Sequence, residues 1–432
     1  MSQEQLDLIA TMEEQLAQTD ATLAQLKATI TGTDPEPPLP PSVVWVETEA
    51  DLDAALTAAQ PGDVLSLSCD LVYSRYFTLA QSVVLEADSL PPGRMTRDPK
   101  LPTFLAGLKV AANNATLRGI EIRHTDPLTN ICIVSGENVT LDRVRMLGDP
   151  VLGAKRGMSG DAVNLVVSQC YIDDCFGTHP GPDTQAILIT ETPGPVLIED
   201  CYLCAGSETI MIGGDDPASE ATMPSHITIR GCTITANPKW QAEMVNVKSR
   251  LELKNARNVV VEDCIIEQCW GGHGQDGYLL ALTVRNQYGT APFSTIQDVS
   301  IRRNTFSHGA GAITILGNDD NYESTPMANV EIVDNVFEDL NPTTYSGSVK
   351  MILVGRGPKA TTIARNHFTG DGHTSTLYFH SPTPMCEDFN VVENTWPETN
   401  YGIFGSDTPS GISAWDYNVA SGSCEGNVVI ED

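Results

Sequence analysis

The chain is poor in positive charge. Its 432 residues carry 25 Lys and Arg against 56 Asp and Glu, a formal net charge of −31. Nucleic-acid binders need a basic footprint, and anionic membrane surfaces attract basic segments, so neither is expected as a partner. Long apolar runs are missing too. No stretch approaches the roughly twenty residues that a membrane-spanning helix needs, so no membrane insertion is expected. The start, Met1 to Leu6, lacks both a basic segment and an apolar one, so no secretion signal is expected. Metal spacings such as HxxxH or HExxH do not occur, and Cys201-x-x-Cys204 has no second CxxC to complete a site. The eleven cysteines are an odd number at spacings that suit no disulfide framework. They read as reduced, buried, small hydrophobes. No cofactor and no metal site is called for; calcium is left open.

What the chain does have is one motif, apolar-x-apolar-x-x-Z-x-apolar, repeated from about Ala115 to Trp396. Ala115-x-Leu117…Ile120-x-Ile122 and Val139-x-Leu141…Val144-x-Met146 open the series. The turn position Z is then Cys at 170, 201, 232 and 264, and Asn at 304, 335, 366 and 394. Successive Z residues are 24 to 40 apart, most of them 28 to 32. A period of this length means a solenoid. Period-two alternation inside each unit means strands, which stack about 4.8 Å apart. Equal positions of successive coils lie above one another. The spacing therefore predicts an internal column Cys170, Cys201, Cys232, Cys264. Asn304, Asn335, Asn366 and Asn394 continue it, their amides hydrogen-bonded to one another. Two residues on, Phe306, Phe337, Phe368 and Trp396 form an aromatic column in the core.

Asn columns, aromatic columns and coils of about thirty residues resemble the right-handed parallel β-helix of pectate lyases and phage tailspikes. The resemblance covers about residues 42 to 430. It implies an all-β solenoid of eleven or twelve coils. It names no activity, because this fold hosts lyases, hydrolases, adhesins and passive fibres.

Residues 1–33 read as a helical attachment or oligomerisation arm. Ile9, Leu16, Leu23 and Ile30 are seven apart, with Met12, Thr19 and Leu26 in the second seam position, a short coiled coil that needs partners. Residues 34–41 are a Pro-rich spacer. Residues 42–63 form an N-terminal cap, with Thr48 and Asp51 placed as a capping box at the start of a helix. Coils occupy residues 64–406, and residues 407–432 depart from the repeat and close the far end. Loops inserted at 215–224, 238–250, 270–277, 287–293 and 319–328 are expected to cluster and mark the working face.

In the strand after each turn, Leu251-Glu-Leu-Lys254 aligned with Leu282-Thr-Val-Arg285 makes an outward column of Gly213, Lys254, Arg285 and Leu316. Lys254, Arg285 and Glu252 are the candidate catalytic residues. A lyase uses a Lys or Arg base and a cation beside a uronate, whereas a glycosidase uses paired carboxylates. Candidate glycan-binding residues are Asp215, Asp216, Asn286 and Asp319, with the loop aromatics Trp240, Trp270 and Tyr288. A ladder of surface ion pairs, Glu252 with Lys254 and Arg285, accounts for the charged members equally well. The expected working face is the seam between Cys264 and Asn304, where the repeat has its longest gap.

Arm, spacer and β-helix together are similar to a phage tailspike or fibre subunit. That likeness implies a virion protein, homotrimeric through the arm, that contacts other virion proteins and a bacterial surface polysaccharide. The alternatives are a polysaccharide lyase or glycoside hydrolase of the pectate-lyase-like group, and a capsid decoration protein without activity.

Overall fold

A computed structural model describes residues 42–430 except 125–128, 179, 244, 246, 382, 406 and 407. The arm at 1–33 and the spacer at 34–41 lie outside the described residues. Three parallel sheets run the length of the body, with 14, 12 and 13 strands. Each coil contributes one short strand to each. Sheet I starts at Val43–Val46 and ends at Gly422–Ser423. Sheet II runs from Val72–Tyr73 to Val428–Ile430, and sheet III from Phe77–Leu79 to Ile403–Gly405. The protein is an all-β parallel β-helix.

The Z position is the bend from sheet I into sheet II. The residue before it is left-handed in coil after coil, with φ between +51 and +58° at Arg143, Gln169, Asp200, Asp263, Arg303, Asp334, Arg365 and Glu393. Side chains are uncommon in that region, so the bend has to be held from inside. The Asn ladder holds it. Asn304 N donates to Asn335 Oδ1 (2.9 Å), Asn335 N to Asn366 Oδ1 (3.0 Å) and Asn366 N to Asn394 Oδ1 (3.0 Å). Each amide nitrogen also bonds a carbonyl one coil back, such as Asn335 Nδ2 to Ile301 O (2.9 Å). Upstream, thiols stand in for amides: Cys170 N donates to Cys201 Sγ at 3.4 Å. All eleven cysteines are free. The ladder also runs one rung further than the repeat suggested. Asn394 N donates to Asn427 Oδ1 (2.9 Å), and Thr395 pairs with Val428, so the tail contains part of one more coil.

Inside, Phe306, Phe337 and Phe368 stack with ring centroids 4.4 and 4.6 Å apart. The N-terminal end is closed by the helix Glu49–Ala58, which buries Leu52 and Leu56. Its capping box is formed, with Asp51 N donating to Thr48 Oγ1 and Thr48 N to Asp51 Oδ2. At the other end the helix Ile412–Asn418 buries Trp415 against Phe379 and Phe389. No helix among the described residues is long and apolar enough to cross a membrane.

Sheet III departs from simple alternation. In its strands the first residue faces out and the next two are both buried: Thr209 and Ile210 follow Glu208, Arg250 and Leu251 follow Ser249, and Leu279 and Leu280 follow Tyr278. The register skips the same residue, pairing Glu208 with Ser249 and Ile210 with Leu251. This irregularity adds a second outward column at the sheet edge, which period-two reading of the sequence leaves out.

Candidate active site on the outer face of sheet III

The inserted loops form two groups, one on each side of sheet III. The loop segment 238–243 with Val245, and loops 270–277 and 341–349, meet where the chain enters the sheet. There Trp270 Nε1 donates to Val245 O (3.4 Å), Gln241 Nε2 to Thr344 O (2.9 Å) and Gly271 N to Tyr345 O (2.8 Å). Loops 215–224, 287–293 and 319–327 meet where it leaves. Asp216 Oδ2 accepts from Tyr288 N and Thr290 N (both 3.0 Å) and from Thr290 Oγ1 (2.7 Å). Burial raises the Asp216 carboxyl pKa, but these bonds prevail and lower it. Between the two walls the outer face of sheet III is an open trough with cavities of about 420, 430 and 310 Å³. Arg156 lines the first two, and Met211 of the second is the register partner of Glu252 in the third. The expected seam is therefore part of the trough, since Gly274–Asp276, Tyr278, Ala281 and Thr283 all line the 310 Å³ section.

Two carboxylates lie on the floor of that section. Glu252 is only 6% exposed. It accepts from Lys254 Nζ (2.7 Å), Thr283 Oγ1 (3.1 Å) and Ser249 Oγ (3.4 Å). Burial pushes its pKa up, but the Lys254 charge, the bonds from Lys254 and Thr283 and the Lys248 charge outweigh it, and the net shift is downward. Glu208 is 1% exposed. It accepts from Gln185 Nε2 (2.7 Å), and Lys248 Nζ stands 3.5 Å away, shared with Asp183. Burial first, then the negative charge of Glu252, push Glu208 up to about 7 against the partial relief of Lys248. One carboxyl is thus held ionised and its neighbour holds its proton near neutral pH, the division of labour of an acid–base pair.

Below Glu208 lies Arg250, a fully buried cation. It donates to Ala205 O (2.7 Å), Gly206 O, Ser207 O (3.3 Å) and Thr209 Oγ1 (2.8 Å), which bolts down the turn that leads into Glu208.

The candidates from the sequence divide. Glu252, Lys254, Asp215 and Tyr288 line the trough. Arg285 does not stand in one column with Lys254. Glu252 pairs with Ala281 and Leu253 with Leu282, two residues off the alignment of Leu251 with Leu282. Lys254 shares the trough lining with Thr283 and Leu316, and Arg285 meets Lys254 only through the backbone, its N donating to Lys254 O (2.9 Å). A slip of two leaves every side chain on its own face, and the apolar run Tyr278–Val284 accepts either register. The Arg285 guanidinium turns instead to Asp320 and Asp319. Asn286 is buried and serves the loop, taking Ala291 N on its Oδ1 (2.9 Å) and giving Nδ2 to Glu323 O (2.8 Å). Asp319 accepts from the backbone of Asn286, Asn321 and Tyr322. Trp240 and Trp270 are each 4% exposed, and Trp240 packs on Phe176 with centroids 4.8 Å apart. Glu208, Gln185, Lys248 and Asp276 were absent from the sequence reading. The signal for Gln185 and Glu208 is the position two residues before each aligned aliphatic, where Gln185, Glu208, Ser249 and Tyr278 recur; Lys248 and Asp276 lie just ahead of it and have no such signal.

A cavity of about 480 Å³ on sheet I is lined by Asn258, Asp298, Asn329, Glu331 and Asp388. Its lining holds no cation to set beside the carboxylates, unlike that of the trough. Among the described residues there is no cluster of three or more His, Cys, Asp or Glu suited to a metal ion.

The wall loops give a direct test of the trough's construction. Asp216→Ala removes the anchor of loop 287–290. Proteolysis at Tyr288 and amide exchange in that loop are expected to rise while the coils stay protected.

Residues 183–368 match the family model described as the right handed beta helix region. With the three parallel sheets, the fold of the described body is a right-handed parallel β-helix. No curated protein matches it in sequence. Among solved structures it is similar to the Dettilon tailspike protein (gp208), at 11% identity over 83% of this chain and 64% of that one, TM-score 0.47. It is also similar to the tailspike protein gp49 of Acinetobacter baumannii bacteriophage Fri1, described as a capsular polysaccharide depolymerase. There identity is 12% over 84% of this chain and 55% of that one, TM-score 0.42. An alginate lyase from Paenibacillus sp. str. FPU-7 aligns at 12% identity over 90% of this chain and 95% of that one, TM-score 0.37. The chain spans less than two thirds of the length of either tailspike. At such identities the likeness is one of fold.

Proposed function

We propose that the trough on sheet III binds a bacterial surface polysaccharide and cleaves it by hydrolysis. Glu208 acts as general acid toward the leaving oxygen. Glu252, ionised, is the nucleophile or the base that activates water. The observation that carries this reading is the pair of buried carboxyls, one pushed up to about 7 and the other pulled down, on the floor of an open trough. An open trough suits a polymer that passes through it, where a closed pocket suits a small ligand. A lyase built on Lys254 and Arg285 is less favoured. The Lys254 ammonium is engaged by Glu252, and Arg285 is engaged by Asp319 and Asp320. A passive decoration protein would have no use for a carboxyl kept protonated near neutral pH. The heptads of the arm and the Pro-rich spacer support placing this body on a virion as a homotrimer, the particle side of the same proposal.

The test is incubation with a panel of purified capsular and O-antigen polysaccharides. The expected result is shortening of at least one polymer, with new reducing ends and no ultraviolet-absorbing unsaturated ends. Unsaturated ends would establish a lyase instead. Binding without shortening would leave a receptor and remove the enzyme, and binding to none would remove both.

A further inference from the structure

The trough is not electrically uniform. In this strongly acidic chain most of the described lysines and arginines are paired with a carboxylate. Of those that are not, Arg94, Arg250, Lys350 and Arg356 bond a hydroxyl, carbonyls or a ring, Lys239 lies in a wall loop, and three stand together in the N-terminal half of the trough. Lys109, Lys155 and Arg156 have no carboxylate within ion-pair distance among the described residues. Lys109 pairs in register with Ile133, which lines the 420 Å³ section together with Lys155, Arg156, His124 and the half-exposed Tyr76. Arg156 reaches on into the 430 Å³ section. Its Nε donates to Gln185 Oε1 (2.9 Å), and Gln185 Nε2 donates to Glu208 Oε2 (2.7 Å). One amide therefore links the unpaired guanidinium to the carboxyl that holds its proton.

We infer that this half of the trough is a subsite for an anionic sugar, in which a carboxylate-bearing residue of the polysaccharide docks on Arg156 with Lys155 and Lys109 beside it. The inference rests on the reading of the trough as a polysaccharide site and adds the class of polymer. A chain of net charge −31 repels polyanions over most of its surface. A neutral glycan would leave these three cations without a counterpart. Arg offers a planar fork that fits a carboxylate with two hydrogen bonds, and the ring of Tyr76 offers a flat apolar face to a neighbouring sugar. Arg156 lies two strands from Glu208, roughly 10 Å along the trough. The anionic sugar is therefore held beside the scissile linkage and not at it. Bond cleavage stays with Glu208 and Glu252, and Arg156 determines which polymer is accepted.

The experiment uses the full chain and a panel of acidic and neutral bacterial polysaccharides. The bound polymer is then compared with its own carboxyl-reduced form. Wild type is expected to select an acidic polymer, to bind more weakly as salt rises and to lose about 10- to 100-fold in affinity when the carboxyls are reduced. Arg156→Gln, and separately the double variant Lys109→Gln with Lys155→Gln on half-buried positions, are expected to lose affinity for the native polymer by a similar factor. Neither should change affinity for the reduced polymer. A neutral polymer as the one selected, or equal affinity of wild type for the native and reduced forms, would overturn the anionic subsite and leave the glycan trough standing. If no polymer binds, both fall.

Discussion

Glu208→Gln and Glu252→Gln are each expected to slow depolymerisation by about 10²- to 10⁴-fold, the usual contribution of a positioned acid or base. Affinity for the polymer should change little, because both amides keep the shape of the floor. Wild-type activity should be bell-shaped in pH. The alkaline limb falls through about pH 7 as Glu208 loses its proton. The acid limb appears only below the usual carboxylate range, because Glu252 is held low. Stability adds an independent check. Glu208 is raised in the folded state from an ordinary value of 4.5 to about 7. Between those values the unfolded chain gives up the proton and the folded chain keeps it. Glu208 therefore favours folding most at acid pH, and that contribution is lost as pH rises from 4.5 through about 7. In Glu208→Gln this slope should vanish together with the alkaline limb. A variant that keeps either one separates the proton from the chemistry and refutes the assignment. Product anomers, read by proton magnetic resonance, then tell whether Glu252 attacks the sugar or activates water.

Asn335→Leu is expected to cost about 3–5 kcal/mol in denaturant unfolding. The isobutyl group fills similar space but leaves Asn304 N–H, Ile301 O and Val333 O without the partners that Asn335 supplies. Each buried polar group stranded in this way costs about 1–3 kcal/mol. Phe337→Ala, which opens the middle of the ring stack, should cost a similar amount, about 3–5 kcal/mol. Both act in the same coil. In a solenoid each coil contacts only its neighbours, so amide exchange should loosen first around residues 300–370 and leave the Cys-lined coils protected. Loss of protection spread evenly over the body would contradict the ladder as a local clamp.

Much of the fold was legible because it is periodic. The Cys and Asn columns, the Phe stack and the Thr48–Asp51 capping box each follow from spacing, since stacking places equal positions in contact whatever the loops do. The site was legible in part. Glu252 and Lys254 stood out as charges on an alternating strand and do lie on the trough floor. Glu208 did not. It precedes the alternation, at the point where the middle strands of sheet III, its own among them, bury two residues in succession. Asp216, Asn286 and Asp319 looked like ligands because they are polar loop residues. They are spent on holding loop backbone, a use that composition does not distinguish from binding.

The sequence by itself determined the coil, the turn and the core, because those depend on interactions that repeat every thirty residues or so. Only the tertiary structure decided which charges meet. Glu208 on one strand meets Lys248 and Glu252 from the next, and a two-residue change of register, Leu251 pairing with Leu280 and not with Leu282, changes which side chains share a column without moving any to the other face. Binary pattern is blind to such a shift. Burial, which raises one carboxyl while neighbouring cations lower the other, exists only once the walls around sheet III have closed.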